Sequence, residues 1–414
     1  MTQQADRADS TKPTGSSPAD EPRSDWRIAG AVFPTLFASV LGLLPFTVYS
    51  TFLVSIADAV GDGDAAVGAL RGLGGIGAVV VGVAVAPLIG AVAPGRVAAW
   101  GLVLLAAAAL VGTVAWLPAL AAFCLLVGVS NAVLYPALTT AAADRFGTGP
   151  NATRAATLVT ATKTLAATLV APLVALPALW WGWRGDLIAI AVVAVVLTPV
   201  LLRYGRERHV DETAPRHGYF GAFRALAAVP GARALLLVSF GQAAAFQGYL
   251  AYLAAFYADE FGLSPSVFAF VWTLSGGSFF LGNLVAGRVV NATESDGRAV
   301  RALHVFLTVA LVSLFGVFLA PTLPLALTAT AILSASHAVG VAAVVTLLVR
   351  RAGTLRGTAL AVNASGMSMG LFLGAAAGGV GLAAGGYLAA AAVFGVFTAL
   401  SVVAALTVRQ RGRT

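Results

Sequence analysis

Three side chains within the apolar parts of this sequence carry a charge or can take one up: Lys163, His337 and Arg71. Lys163 follows Arg154 by nine positions in an otherwise uncharged run, about 13 Å along a helix and so near the middle of a bilayer. It is one of only two lysines among 25 basic residues, and Thr157, Thr160, Thr164 and Thr168 accompany it at helical spacing. Arg71 is shallower, roughly 9 Å in from the acidic turn Asp62-Gly63-Asp64. His337 sits beside Ser334 and Ser336. Ionisable groups at such depths are candidates for function by default, and here all are basic. Asp58, Asp144, Asp186, Asp259 and Glu260 fall near the ends of their runs, which argues against a carboxylate proton relay. Cationic walls without anionic ones favour an anionic or strongly hydrogen-bonding substrate, because that substrate can supply the missing counter-charge. Asn131, Asn363, Gln242, Gln247 and Tyr249 would add hydrogen bonds, so the expected substrate site comprises these five with Lys163, His337 and Arg71.

Each candidate also has a plainer reading. Lys163 can snorkel or bond to the threonines and nearby carbonyls, His337 can be a packing histidine, and Arg71 can pair with helix-end carbonyls or Asp64. The glutamines and aromatics around Gln242 and Tyr249 can be packing between helices. No catalytic residue, metal ligand or cofactor is expected. Gly366-Met367-Ser368-Met369-Gly370 fits the G-x-S-x-G pattern, but a nucleophile elbow needs a strained strand-to-helix turn. This copy lies on one helix face, with glycine at 366, 370, 374 and 378. Asn151-Ala152-Thr153 and Asn291-Ala292-Thr293 fit the glycosylation sequon on loops expected to be cytoplasmic, where it is not used.

These residues need elements to hold them. With 59% hydrophobic and 10% charged residues and a mean hydropathy of +0.90, the chain is too apolar for a water-soluble domain. Its runs reach the ~20 residues that a spanning helix needs, unlike the short alternating strands of a barrel. Twelve helices are predicted, over 28–58, 65–92, 97–116, 120–143, 155–179 and 187–202, then 234–257, 266–290, 302–319, 324–349, 358–383 and a last one closing at Val408. The second and eleventh are glycine-rich, which lets backbones approach closely in lipid. The polar passage from Arg203 to Arg233, with Arg206, Arg208, Arg216, Arg224, Glu207, Asp211 and Glu212, cannot cross hydrocarbon and is read as a loop.

The net charge of +8 invites a nucleic-acid reading, but the positive charges fall on one side of the predicted helices. With the N-terminus inside, Arg96, Arg145, Arg154, Arg288, Arg298, Arg350, Arg351, Arg356 and Arg409 all lie inside, and only Arg184 lies outside. That asymmetry sets the orientation, both termini cytoplasmic, and argues against nucleic acid. Cys124 is the single cysteine, so no disulfide forms within the chain. Residues 1–26 are polar without an apolar core and read as a disordered tail with no signal peptide.

The halves repeat. Ser130-Asn131-Ala132-Val133 matches Ser336-His337-Ala338-Val339, and Asp58 and Gly61 match Asp259 and Gly262, at offsets of about 200 residues. Duplicated six-helix halves with a site between them near the midplane are a transporter architecture. On these residues the chain resembles the major facilitator superfamily. Asp144-Arg145 followed by Arg154, Trp181-Gly182-Trp183-Arg184, Arg356-Gly357-Thr358, and the run Ala167, Ala171-Pro172, Ala175 are similar to its local phrases. Two places differ: the loop 90–96 lacks the family's usual aspartate, with Pro94 there, and Cys124 stands where a helix-4 arginine is common.

The expected fold is therefore an all-α membrane protein of twelve transmembrane helices in two pseudo-symmetric six-helix bundles. Its parts are a tail (1–26), a first bundle (27–203), a central cytoplasmic loop (204–233), a second bundle (234–408) and a tail (409–414). The expected function is a multi-pass permease of the cell membrane, moving a small organic solute, an anion favoured, by alternating access. The alternative is efflux of drugs and other amphipathic compounds. A monomer in the lipid bilayer is expected, with an ion or proton gradient as the candidate energy source.

Overall fold

The structure, a computed structural model, describes residues 24–89, 92–147, 150–204, 219–290 and 296–408, and no strand occurs among them. Ten helices there are long and apolar enough to cross a membrane. One of these, Thr358–Leu406, is interrupted at Gly385 and Gly386 and holds two spans. Similarly, Pro150–Arg203 is interrupted at Gly182, which separates a helix over 150–181 from the span that follows. A count of twelve spans fits.

Span 1 is built from Asp25–Ala31, Phe33–Leu41, Leu44–Thr51 and Leu53–Val60, and span 2 from Asp64–Leu70 and Leu73–Ile89. Spans 3 and 4 are Pro94–Gly112 and Leu117–Asp144, and spans 5 and 6 are the two limbs of Pro150–Arg203. Spans 7 to 10 are Ala232–Phe261, Pro265–Val289, Asp296–Phe318 and Leu323–Ala352, and spans 11 and 12 the two limbs of Arg356–Leu406.

Several predicted elements are corrected. Span 1 is a chain of short helices rather than one rod, because Pro34 and Pro45 each open a new segment; proline lacks an N–H and crowds the preceding turn. Between spans 5 and 6 the expected break over 180–186 shrinks to one residue. Gly182 takes φ 68° and ψ 177°, and Gly386 between spans 11 and 12 takes φ 67° and ψ −162°. Essentially only glycine adopts that region, so both halves close their last hairpin with the same device. The central passage is not all loop: Tyr219–Ala228 is a helix, joined to span 7 through Gly231 at φ 80°. Asp25 and Trp26, assigned to the tail, already belong to span 1. Residues 1–23, 205–218 and 409–414, with the second sequon at Asn291, lie outside the described residues.

Polar ties set the register within each bundle. Tyr49 donates to the Val67 carbonyl at 2.5 Å, holding span 1 to span 2, and Ser130 donates to the Gly101 carbonyl at 2.8 Å, holding span 4 to span 3. In the second bundle the Tyr249 and Tyr257 hydroxyls each meet Thr330 Oγ1 at 2.9 Å, and Ser275 meets Ser334 at 2.7 Å. Asp296 and Arg351 form an ion pair at 3.0 Å that fastens span 9 to the end of span 10. Three of the four regularly spaced span-11 glycines prove to be a packing face: a Cβ on Gly370 would lie 2.6 Å from the Phe240 carbonyl, one on Gly374 would overlap that of Ala244 and one on Gly378 would lie 2.5 Å from the Phe394 ring, whereas one on Gly366 would meet nothing. Ser368 donates to the Ala364 carbonyl at 3.1 Å within a continuous helix, so the G-x-S-x-G match is not an elbow.

One end of the molecule carries the turns after Gly61 and Gly262, with Asp58, Asp62, Asp64, Asp259 and Glu260, and is called the acidic end; the other carries Arg96, Arg145, Arg350 and Arg351. The surface between bundles, the seam, joins span 2 to span 11, span 7 to spans 1 and 2, and span 8 to the helix Pro150–Arg203. A Cβ on Gly72 would lie 2.6 Å from the Phe372 carbonyl, and one on Gly75 would overlap that of Ser368. In the acidic half the apolar core runs unbroken across the seam, from Tyr49 and Val67 to Tyr252, Phe256 and Phe394. In the arginine half the second bundle keeps a core of its own around Leu235, Leu303 and Leu347. The two bundles are thus fused at the acidic end.

Candidate substrate site

Lys163, Tyr135 and Asn131 come together in the first bundle. Asn131 and Tyr135 are four residues apart on span 4 and share a face. Tyr135 donates to the Ser39 carbonyl of span 1 at 3.1 Å, which fixes its ring, and the Lys163 ammonium of span 5 lies 3.7 Å above the ring centre. Asn131 Oδ1 is buried without a partner. Gly42 of span 1 makes the space: a Cβ there would lie 2.9 Å from Asn131 Oδ1 and 3.0 Å from the Tyr135 hydroxyl. A cation on an aromatic face gains about 0.5–2 kcal/mol, well short of the several kcal/mol that desolvating an ion costs. Of the threonines expected to help, Thr157 is exposed, and the side chains of Thr160, Thr164 and Thr168 lie outside the described residues.

Arg71 occupies the seam itself. Its guanidinium carbon is 5.7 Å from the Phe46 ring centre, and Nη1 donates to the Gln247 carbonyl of span 7 at 3.1 Å. The residue is only 7% exposed and its Nε has no partner. Of the partners its plainer reading offered, Asp64 is not one; the acceptor is a main-chain oxygen of the other bundle. No carboxylate among the described residues pairs with Lys163 or Arg71.

The remaining predicted residues divide. Gln247 supplies that carbonyl, and its side chain is half-buried. Gln242 and His337 meet, but inside the second bundle. They line a cavity of about 20 Å³ with Phe246, Leu307, Leu333 and Thr398, large enough for one water. The His337 ring stacks on Phe246 at 4.0 Å and 15°, and both amide atoms of Gln242 lack partners. Tyr249 is fully buried and held by Thr330. Asn363 stands alone on span 11, its Nδ2 3.6 Å from Met367 Sδ and its Oδ1 unpartnered. Sequence reasoning passed over Phe46 as the aromatic neighbour of Arg71 and Tyr135 as that of Lys163. For Tyr135 the signal was present in its spacing from Asn131.

Residues 35–354 match the family model of the Major Facilitator Superfamily, which is well over half of the chain. The chain belongs to that family. Its members are membrane transporters rather than enzymes, and this chain is accordingly a multi-pass membrane transporter. No curated protein matches it in sequence. Among solved structures it is similar to a bacterial homolog of the human lysosomal transporter Spinster, in an inward-facing and unoccupied conformation, at 16% identity over 95% of each chain with a TM-score of 0.69. It is also similar to the nucleoside transporter NupG, at 15% identity over 91% of this chain and 97% of that one (TM-score 0.68). A third likeness is to the human organic anion transporter MFSD10, at 17% identity over 94% and 100% (TM-score 0.62). At such identities the likeness is one of fold.

Proposed function

We propose that this chain is a secondary transporter that carries a small organic anion across the cell membrane, with Lys163 as its charge partner. The observation that carries the reading is the pair of deep cations, Lys163 and Arg71, neither matched by a carboxylate among the described residues. Asn131, with its free buried oxygen, and Tyr135 complete the first-bundle wall. Residues 27–203 and 234–408 rock against one another about this site. The arginine end, with both termini, faces the cytoplasm by the positive-inside rule, so the fused acidic end corresponds to a state closed to the outside. A human organic anion transporter shares this fold, so the fold is compatible with such a solute. Efflux of lipophilic cations is disfavoured, because cationic walls repel them.

The test is thermal stabilisation of the purified protein by organic anions, organic cations and neutral sugars, with Lys163→Ala alongside. A ligand at a hundred times its Kd adds about 2.7 kcal/mol of stability. Anions should raise the Tm of the wild type and not of Lys163→Ala. Equal stabilisation of both proteins by lipophilic cations would end the anion reading.

A further inference from the structure

Arg71 is under-coordinated. A guanidinium presents five donors in a planar fork that matches a carboxylate, yet this one, 7% exposed, spends its single described hydrogen bond on the neutral Gln247 carbonyl and leaves Nε empty. Its offset from Lys163 along the membrane normal follows from two lines. On span 1, a Cβ on Gly42 would lie 3.0 Å from the Tyr135 hydroxyl, whose ring carries the Lys163 ammonium, and Phe46, four residues on across the junction of two helical segments, lies under Arg71; four residues at near-helical rise advance about 6 Å. Counted from the two ends, Lys163 is about 13 Å deep and Arg71 about 9 Å deep, which leaves about 8 Å of a ~30 Å core between them. Each cation also adjoins an aromatic ring, Tyr135 or Phe46.

We infer that the substrate is a dianion, a dicarboxylate whose two acidic groups reach Lys163 and Arg71 together; this rests on the anion reading of the same site. A carboxylate on Arg71 competes with the Gln247 carbonyl, so the ligand that fills both positions also releases a tie across the seam. A monoanion held at Lys163 leaves that tie in place. Length thereby becomes a criterion of selection: an acid too short to bridge the two cations binds as a monoanion does.

The experiment compares acetate and butyrate with succinate, glutarate, adipate and pimelate as thermal stabilisers of the wild type, Arg71→Gln, Arg71→Lys and Lys163→Ala. In the wild type, a dicarboxylate of matching length should act at roughly tenfold lower concentration than any monocarboxylate, as one added charged hydrogen bond implies. Arg71→Gln should erase that advantage while monocarboxylates still act. If mono- and dicarboxylates stabilise the wild type equally and Lys163→Ala abolishes both, the anion reading stands and the dianion inference falls. If no carboxylate stabilises the wild type, both fall. Should Arg71→Gln not fold, Arg71→Lys decides: a point charge in place of the fork must weaken dicarboxylates selectively, and equal weakening of both kinds overturns the inference.

Discussion

Replacing Gly75 by alanine should open the acidic end of the seam. A Cβ at this position would overlap the Ser368 carbonyl oxygen and lie 2.8 Å from the Phe372 nitrogen. Both are backbone atoms of span 11, in the opposite bundle, so no side-chain rotation relieves the clash; the spans must separate. Overpacking of this kind costs about 1–3 kcal/mol. If the cost falls only on the state in which the seam is closed, populations shift roughly 5- to 150-fold toward the other state. Gly374→Ala is the control. It would overlap the Ala244 carbonyl within the second bundle, so its cost is carried by every folded state and appears as lost stability. The assay places spin labels at Asp62→Cys and Ser264→Cys, exposed on the acidic-end turns of the two bundles, in a Cys124→Ala background, and reads their separation by pulsed electron resonance with Tm measured in parallel. Gly75→Ala should lengthen the separation; Gly374→Ala should lower Tm and leave the separation unchanged. If Gly75→Ala lowers Tm as much as Gly374→Ala and moves no distance, the seam is a static interface and the rocking mechanism is wrong.

Three further outcomes are expected. Gly182→Ala meets no neighbour within 4 Å and is opposed only by its backbone conformation, so thermal melts should show a loss of about 1–3 kcal/mol; a neutral result would mean the turn is free to adopt another shape. Arg351→Ala leaves Asp296 without its ion-pair partner, 11% exposed at the arginine end, and should cost about 3–5 kcal/mol, read as reduced Tm with little change in anion affinity. Tyr135→Leu removes the ring under Lys163, worth about 0.5–2 kcal/mol, and should weaken anion stabilisation, whereas Tyr135→Phe should retain most of it; equal loss in both variants would show that the hydroxyl bond to Ser39, not the ring, positions the lysine.

What the sequence disclosed and what it hid follow from the range over which each feature is determined. The Asp58–Gly61 and Asp259–Gly262 match was legible because each glycine caps its own helix in the left-handed region, at φ 76° and 66°, a purely local requirement. Gly182 and Gly386 are as local and as symmetric, yet neither was singled out as a turn, because a lone glycine in an apolar run is also compatible with a continuing helix. Lys163's depth could be counted from Arg154, but its partner could not, because the register of span 5 against span 4 is set by packing across the bundle. The same limit explains Gln242, His337 and Tyr249. Polarity indicates that a helix face avoids lipid; it does not distinguish the seam from the bundle interior, and these three face the interior.

The unmatched cations are not a consequence of a chain that lacks acids or fails to neutralise buried charge. Seventeen Asp and Glu residues are available, and at the arginine end one of them, Asp296, is placed against Arg351 at 3.0 Å. In the second bundle the buried hydroxyls of Tyr249, Tyr257, Ser275 and Ser334 all have partners. A fold that pairs those groups but leaves Lys163 on an aromatic ring and Arg71 on one neutral carbonyl carries unmatched positive charge in the first bundle and at the seam. An apolar residue at either position would remove the desolvation cost at once. On the proposed reading the cations are stabilised by the anionic solute, and because Arg71 reaches across the seam, its arrival would be felt by both bundles.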